Sequence, residues 1–355
     1  MNVIKWALAL IIGLSGLQAQ GLSNTDIKTF TLLPTTIPAN GPVVFERASD
    51  VFDAFKESYR DFTPRYVQIT GQDKLWHLQR QVQTTSKKKP VVIYSRGFRG
   101  KFEALISRNF NYGHSFIALY KYIQIGLIHS PAIGFDDLDL WNNFDHGGAK
   151  RVEQLDFVLR QSQNKESDII LMGDCIGAKT IIKLTDVNTY NQVKALVLEA
   201  PGLDFEVMTR NIAKNKFNYA KKGSDRLCYA FTHLLPRYDK NSDDTLAAAK
   251  LIPTHIPIFL AHLYNDQMIR NEEMQELVQT LRDSGHTVYF LVVDYPLVTH
   301  SHIAVTEPYR KALNAFYKKY ELPYDPQLAQ NGNVILERAA QNAQSATIEH
   351  IESAA

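Results

Sequence analysis

The sequence predicts an α/β protein with a mostly parallel β-sheet covered by helices on both faces. Short β-branched runs alternate with amphipathic segments, as in "VVIYS", "DIILMG" and "VKALVLEA" with helix-like stretches between them. These runs are apolar at nearly every position, which is typical of strands buried on both faces of a parallel sheet. With 355 residues, 45% of them hydrophobic and 21% charged, the chain can bury such a sheet.

The first residues predict a secretory signal peptide over 1–20. One positive charge at Lys5 precedes an apolar run from Trp6 to Leu17, and small and polar residues follow around Ala19. The run is shorter than the roughly 20 residues that span a bilayer. We therefore expect cleavage near Ala19 or Gln20 and export to the periplasm or the extracellular space, without a stable membrane span. An uncleaved membrane anchor is the alternative.

An N-terminal extension over 21–64 precedes the folded domain, which we expect over 65–322. The stretch "RYVQITGQDKLWHLQRQVQTT" alternates apolar and polar residues around a central glycine and predicts a hairpin. The strand "VVIYS" follows and ends in the glycine-rich turn "RGFRG". The segment "FNYGHSFIALYKYIQ" is compatible with helix or strand, whereas "EQLDFVLRQSQ" and "GAKTIIKL" have helical spacing.

The alternation stops at about 205–252, where a polar, helix-forming segment predicts a lid insertion. The strand "IPIFLAHLY", the helix "NEEMQELVQTLRDSG", the strand "HTVYFLVVDY" and the helix "EPYRKALNAFYKKY" complete the domain. Residues 323–355 are rich in Gln, Asn and Ala and are predicted to be a polar C-terminal tail, either frayed or a short helix.

Residues 173–178 read Gly-Asp-Cys-Ile-Gly-Ala and predict a sharp strand-to-helix turn that presents a nucleophile. Glycines two residues before and after Cys175 suit such a turn, because a Cβ at either place would collide with the neighbouring chain. At a helix N-terminus, unpaired N–H groups and the helix dipole favour a thiolate. The alternatives are a buried, inert cysteine and a disulfide with Cys228.

Four features in chain order resemble the α/β-hydrolase superfamily, over roughly 65–322. They are the strand and turn "VVIYSRGFRG", the elbow "GDCIGA", the strand "IPIFLAHLYNDQMI" and the final strand with "THSHI". Nucleophile, acid and histidine follow one another in this order in that fold. The Gly-x-Cys-x-Gly elbow resembles dienelactone hydrolase, which opens a cyclic ester with a Cys-His-Asp triad. The lid and export signal are similar to serine aminopeptidases and acyl hydrolases. The chain departs from the family at Arg96, where a histidine is usual.

The resemblance implies a catalytic triad. Cys175 is the expected nucleophile, Asp266 is the expected acid, and either His300 or His302 is the expected base. We favour His300, because the loop after the last strand places it at the usual distance. Asp204 is the fallback for the acid.

The resemblance also implies an oxyanion hole formed by the backbone N–H groups of Phe98 and Ile176. Two other polar side chains near these motifs have structural interpretations. Asp174, beside the nucleophile, is expected to be solvated or salt-bridged, and His262 is expected to be a satisfied core residue.

The remaining observations exclude several classes of partner. The formal net charge is +2, and no basic stripe interleaved with aromatic residues predicts nucleic-acid binding. We expect no cofactor and no metal, since no dinucleotide fingerprint, phosphate loop or metal-ligand spacing occurs. Two functions follow: an exported hydrolase of an ester, thioester or amide with a small-molecule or acyl substrate, or a non-catalytic binding protein with an inert or disulfide-bonded cysteine.

Overall fold

A computed structural model describes the parts of the chain that carry most of the predicted elements. The described ranges are 62–68, 74–80, 91–95, 97, 124–129, 168–184, 192–217, 244–295, 300, 303–322, 324–345 and 348–352, with single helical residues at 152–159 and 223–229. The predicted signal peptide and most of the N-terminal extension lie outside these ranges. So do Phe98, Cys228 and His302.

Within these ranges, nine strands form one sheet. They are β1 (Phe62–Gln68), β2 (Lys74–Arg80), β3 (Val91–Ser95), β4 (Gln124–His129), β5 (Ile169–Asp174), β6 (Val193–Glu199), β7 (Ile258–Leu263), β8 (Val288–Asp294) and β9 (His350–Glu352). Their order across the sheet is β1-β2-β4-β3-β5-β6-β7-β8-β9. The first two strands pair antiparallel, as the predicted hairpin requires, and β2 joins β4 antiparallel. All pairings from β4 to β9 are parallel.

Helices follow the central strands as the sequence predicts. They are α1 (Ile176–Ile182), α2 (Phe205–Phe217), α3 (Thr245–Ala249), α4 (Asn271–Asp283), α5 (Glu307–Lys319), α6 (Pro326–Gln330) and α7 (Asn333–Ser345), with a 3-10 turn over Ile303–Val305. Local chemistry fixes several ends. The Asp244 carboxylate accepts a hydrogen bond from the backbone of Ala247 and caps α3, and Gly285, with φ of 86°, follows α4.

The core lies on both faces of the sheet. Successive residues of each central strand alternate between two clusters, so Phe259 packs on one face and Leu260 on the other. One cluster includes Tyr309 and Phe316 of α5, and the second includes the buried residues of α1 and α4. The continuous apolar runs are therefore strands buried on both sides, and the predicted mostly parallel sheet with helices on both faces is confirmed.

The C-terminal region adds to the sheet rather than forming a separate tail. Helices α6 and α7 follow residue 322, and β9 pairs with β8 at the sheet edge. Leu336 and Ala339 of α7 are buried in the core. Alanines favour a helix and allow it to pack closely, so a composition that resembles a polar tail forms a packed helix. The boundary drawn at 322 stops short of these elements, and β1 begins three residues before the predicted start at 65.

The structure also shows strands that were not predicted and describes part of the 205–252 insertion. Strand β4, like β9, is a strand that the sequence analysis did not identify. Its six residues contain Gly126, and a glycine inside so short a run weakens the strand pattern. The described residues of the 205–252 insertion are largely helical, as predicted, and its role as a lid stays a prediction.

In the described ranges, no helix has both the length and the apolar content needed to cross a membrane.

Candidate active site

Cys175 lies at a strained turn between β5 and α1. It is a non-glycine residue with φ of 50° and ψ of −118°, a conformation that costs about 1–3 kcal/mol. Its backbone N–H donates to the Glu199 carbonyl at 2.8 Å, which ties the turn to the neighbouring strand β6. Its own carbonyl accepts from Lys179 at 3.1 Å and from Gly202 at 3.3 Å. The turn therefore has the backbone of the predicted strand-to-helix elbow.

Gly97 and Gly173 lie where neighbouring backbone or side-chain atoms leave no room for a Cβ. A Cβ on Gly173 would lie 2.8 Å from the backbone nitrogen of Ala178 and 2.8 Å from the backbone carbon of Gly177. A Cβ on Gly97, in the turn after β3, would lie 2.9 Å from the Cβ of Cys175. Gly97 thus lies directly against Cys175, one residue before Phe98, where the sequence analysis expected an oxyanion donor.

The sulfur of Cys175 is a free thiol in an enclosed position. The residue is 3% exposed, and it occupies the N-cap position of α1 with no acidic residue in the first turn. Ile176 is the first residue of α1, so its N–H is one of the first-turn donors that a helix leaves without an intrahelical partner. A helix N-terminus of this kind favours a negative charge on an oxygen bound beside it.

Asp266 and His300 form a direct pair. The Nδ1 atom of His300 lies 2.7 Å from Oδ2 of Asp266, and the aspartate side chain is fully buried. The other carboxylate oxygen, Oδ1, accepts the backbone N–H groups of Met268 at 2.7 Å and Ile269 at 3.1 Å. Burial opposes ionisation of Asp266, but His300, followed by His262 and the hydrogen bond from Met268, holds the pKa of its carboxyl below the usual value. The carboxylate is therefore fixed in place and charged.

His300 also interacts with Cys175. Burial by itself disfavours the imidazolium, but Asp266 and then Cys175 act in the opposite sense and raise the pKa of His300 well above its ordinary value. Its Nε2 atom, on the opposite side of the ring from Asp266, is buried without a hydrogen bond of standard geometry in the described part of the chain. The fold thus brings three of the predicted site residues together, in the order Cys175, His300 and Asp266.

His262 is a fourth polar side chain of this site, and the sequence analysis assigned it no role. It lies in β7, completely buried, with Nδ1 3.9 Å from Oδ2 of Asp266. His262 is a core residue as expected, and the Asn271 side chain interacts with its ring, but neither ring nitrogen makes a hydrogen bond of standard geometry to the residues described. Burial lowers the pKa of His262 to about 4, against the opposing effect of Asp266. The His262 ring is therefore neutral at neutral pH, and His300 is the histidine that bonds to the Asp266 carboxylate.

Asp174, the residue before the nucleophile, is buried rather than solvated or salt-bridged as expected. Its Oδ1 atom accepts the hydroxyl of Tyr94 at 2.5 Å and the backbone N–H of Gly97 at 2.8 Å. Nothing in the local sequence indicated these contacts, because Gly97 and Asp174 are 77 residues apart in the chain.

The remaining candidate site residues either have a structural role, as Asp204 does, or lie outside the described ranges. Asp204, the fallback acid, is exposed and accepts the backbone N–H groups of Glu206 at 2.6 Å and Val207 at 3.0 Å, so it caps the start of α2. His302 and Phe98 lie outside the described ranges. Among the side chains that the structure describes, no group of three or more His, Cys, Asp or Glu residues could hold a metal ion.

The structure is similar to those of solved hydrolases. It superposes on an esterase from Pyrococcus furiosus with a TM-score of 0.53 and 16% sequence identity, over 74% of this chain and 92% of the esterase. The Pyrococcus horikoshii acylaminoacyl peptidase gives a TM-score of 0.52 at 16% identity, over 76% of this chain and 44% of the peptidase. A puromycin-hydrolyzing peptidase of Mycobacterium tuberculosis gives 0.52 at 14% identity, over 83% of this chain and 42% of the peptidase.

The sequence itself matches no protein-family model and no curated protein, so the similarity lies in the structure. At these identities the similarity shows the fold alone. The chain has the α/β-hydrolase fold, as the sequence predicted.

Proposed function

We propose that this protein is an exported hydrolase that cleaves an ester, thioester or amide through an acyl-enzyme on Cys175. The observation that carries the proposal is the set of three side chains at the ends of the parallel strands. Cys175 is held in a strained elbow, and His300, whose pKa Cys175 helps to raise, bonds to Asp266 at 2.7 Å. A nucleophile, a base and a group that orients the base are the parts that acyl transfer requires.

In the first half of the proposed reaction, the thiolate of Cys175 attacks the substrate carbonyl carbon. A C–S bond forms, and the carbonyl π electrons move to oxygen. The backbone N–H of Ile176 and that of Phe98 donate to this oxyanion. The tetrahedral intermediate then expels its leaving group, which takes a proton from Nε2 of the His300 imidazolium. The raised pKa of His300 suits this role, because the imidazolium keeps its proton until the leaving group needs it.

In the second half, water attacks the resulting acyl thioester, and His300 takes a proton from that water. Collapse of the second tetrahedral intermediate releases the carboxylic acid and the Cys175 thiolate. Throughout the cycle, Asp266 accepts the Nδ1–H bond and so holds the ring with Nε2 towards the substrate. Both oxygens of Asp266 are occupied by hydrogen bonds, which keeps that orientation fixed.

The fold and the elbow support the hydrolase assignment. The superposed structures with a TM-score above 0.5 include an esterase and two peptidases, and all three names describe acyl-transfer hydrolysis. The thiol in place of the usual serine resembles dienelactone hydrolase. Export is part of the proposal because residues 1–20 have the three-part pattern of a signal peptide. Intact mass of the mature protein tests it, since a retained Met1 would contradict cleavage.

A second candidate is a non-catalytic binding protein in which Cys175 is inert. The 3% exposure of Cys175 favours this candidate, since an enclosed thiol also fits a packing role. Titration of native thiols separates the two functions. A fast-reacting thiol that maps to Cys175 supports the hydrolase, whereas no reaction before unfolding supports the binding protein.

The test of the hydrolase is turnover on a panel of p-nitrophenyl esters, thioesters and aminoacyl amides. We expect the wild-type protein to hydrolyse at least one member, and Cys175→Ala and His300→Ala each to lose at least about a thousandfold in kcat/KM. Asp294→Asn is a matched control, because Asp294 lies at the end of β8 and bonds to Asn265 at 2.6 Å, outside the triad. Wild-type-like turnover in Cys175→Ala would contradict the proposal.

A further inference from the structure

Asp174 is a buried carboxylate beside the nucleophile that the proposed mechanism does not use. It is 6% exposed and ends strand β5 immediately before Cys175. A negative charge here disfavours the thiolate and the oxyanion that the reaction forms. Asp174 therefore does not serve to stabilise the thiolate or the oxyanion electrostatically.

The contacts of Asp174 connect the end of β3 to the residue before Cys175. Strands β3 and β5 are neighbours, and their pairing ends at Ser95 opposite Gly173. Beyond this point the side chain of Asp174 continues the connection, because its Oδ1 accepts the backbone N–H of Gly97 at 2.8 Å. The hydroxyl of Tyr94, a buried residue of β3, donates to the same oxygen at 2.5 Å and fixes the rotamer of the carboxylate. Bonds to an ionised acceptor are among the stronger hydrogen bonds in proteins.

The fit between Gly97 and the elbow is close. A Cβ on Gly97 would lie 2.7 Å from Oδ2 of Asp174 and 2.9 Å from the Cβ of Cys175. The backbone of Gly97 is thus held against the nucleophile by one carboxylate. Gly97 directly precedes Phe98, whose N–H is a proposed oxyanion donor.

We propose that Asp174 is a positioning residue that holds the backbone of Gly97 against Cys175 and so serves the oxyanion donor proposed at the next residue of the chain. The inference rests on the proposed function, because an oxyanion hole matters only if an acyl group is transferred. Oxyanion stabilisation depends on donors placed within a few tenths of an ångström, so release of Gly97 should weaken it. In the described part of the chain, the Asp174 side chain hydrogen-bonds to neither Cys175 nor His300, so the reactivity of the thiol should survive.

Two reactions of the same thiol separate these effects. Ester hydrolysis needs the thiolate and the oxyanion hole, whereas alkylation by iodoacetamide displaces iodide and forms no oxyanion. In Asp174→Ala we expect kcat for the best ester to fall about 10- to 100-fold, whereas alkylation of Cys175 should be no more than about threefold slower than in wild type, because loss of the Asp174 charge does not disfavour the thiolate. Asp174→Asn keeps an acceptor oxygen of the same shape and should restore turnover to within about threefold of wild type.

Tyr94→Phe is the second variant, and it is used if Asp174→Ala does not fold, as judged by its circular dichroism and thermal midpoint. It removes one donor to the carboxylate and should lower ester turnover about two- to tenfold with alkylation unchanged. Wild-type turnover in the folded Ala variant, or in Tyr94→Phe where the Ala variant does not fold, would overturn the inference. An equal fall in turnover and alkylation would also overturn it, because Asp174 would then shape the elbow itself. A wild-type protein without turnover on any substrate would instead overturn the proposed function.

Discussion

Asp266 and His300 are 34 residues apart in the chain, and 2.7 Å separates Oδ2 of the first from Nδ1 of the second. Asp266 follows β7 and His300 follows β8, and these strands are parallel neighbours in the sheet. Loops that follow neighbouring parallel strands meet at the same sheet edge, which is where sites form in open α/β sheets. Cys175 reaches the same edge from the end of β5. The topology therefore explains why residues so distant in sequence form one site.

The alkaline limb of the pH profile should depend on Asp266. Asp266 is the main group that raises the pKa of His300, against burial that lowers it. We expect kcat/KM of the wild type to fall at a pH well above about 6.5, as the imidazolium loses the proton that the leaving group needs. Asp266→Asn removes the carboxylate but keeps the burial, so the limb should move to lower pH. Asp294→Asn should leave the limb in place, and an unmoved limb in Asp266→Asn would argue against the pair.

The elbow should not tolerate a side chain at Gly173. Its Cβ would meet backbone atoms of α1 at 2.8 Å, and backbone atoms cannot move aside as a flexible side chain can. We expect Gly173→Ala to lower stability by about 3 kcal/mol and turnover by about a hundredfold. Gly202→Ala is the matched control, because its nearest neighbours would be side-chain atoms at 3.6 and 3.7 Å. Urea unfolding of both variants measures the contrast, and equal effects would show that the elbow is less tightly packed than described.

The C-terminal helix α7 should contribute to stability. Leu336 is buried in the core beside the sheet, whereas Val334 of the same helix is exposed. Leu336→Ala should lower the free energy of unfolding by about 2–4 kcal/mol. Val334→Ala should change it by less than about 0.5 kcal/mol. Denaturant unfolding of the two variants is the measurement, and similar small effects would mean that α7 is not part of the cooperative core.

His262 should make the protein less stable in mild acid. Burial lowers its pKa to about 4 in the folded state. Below about pH 6.5 the unfolded chain therefore binds a proton at this histidine that the folded protein does not bind. The contribution of His262 therefore lowers stability by about 3 kcal/mol as pH falls from about 6.5 to about 4. His300 adds no loss in this window, because its raised pKa keeps its contribution fully present below about 6.5. Asp266 adds none either, since its lowered pKa confines its loss to pH below about 3.8.

Unfolding free energies of wild type and His262→Gln over this pH range provide the test. We expect the variant to have a flatter pH dependence. The pKa of His286 is also lowered by burial, but that contribution is common to both proteins and cancels in the difference. His255→Gln, at an exposed position, is the matched control and should keep the wild-type slope. Parallel curves for wild type and His262→Gln would contradict the assignment.

The sequence predicted the parts of the fold that repeat a simple pattern. Strands β5 to β8 are apolar at nearly every position and α4 has a clear helical stripe, so burial on both faces and amphipathicity were visible in the residues. The family resemblance, together with chain order and strand ends, predicted that Asp266 would meet His300 or His302, with His300 favoured. The contact between Gly97 and Asp174 and the position of His262 behind Asp266 depend on tertiary packing, which no local pattern encodes. The sequence analysis allowed a short helix in the C-terminal region but missed the length and packing of α7, because a segment rich in Gln, Asn and Ala shows no strong apolar stripe.

The most direct test of the central claim is the mass of the intact protein during turnover. A rapid acid quench of the wild type with a p-nitrophenyl ester should add the mass of one acyl group, and peptide mapping should place the group on Cys175 as a thioester. His300→Ala should form this adduct far more slowly, and Cys175→Ala should not form it. Steady ester hydrolysis with no adduct, or with the acyl group on another residue, would contradict a cysteine acyl-enzyme.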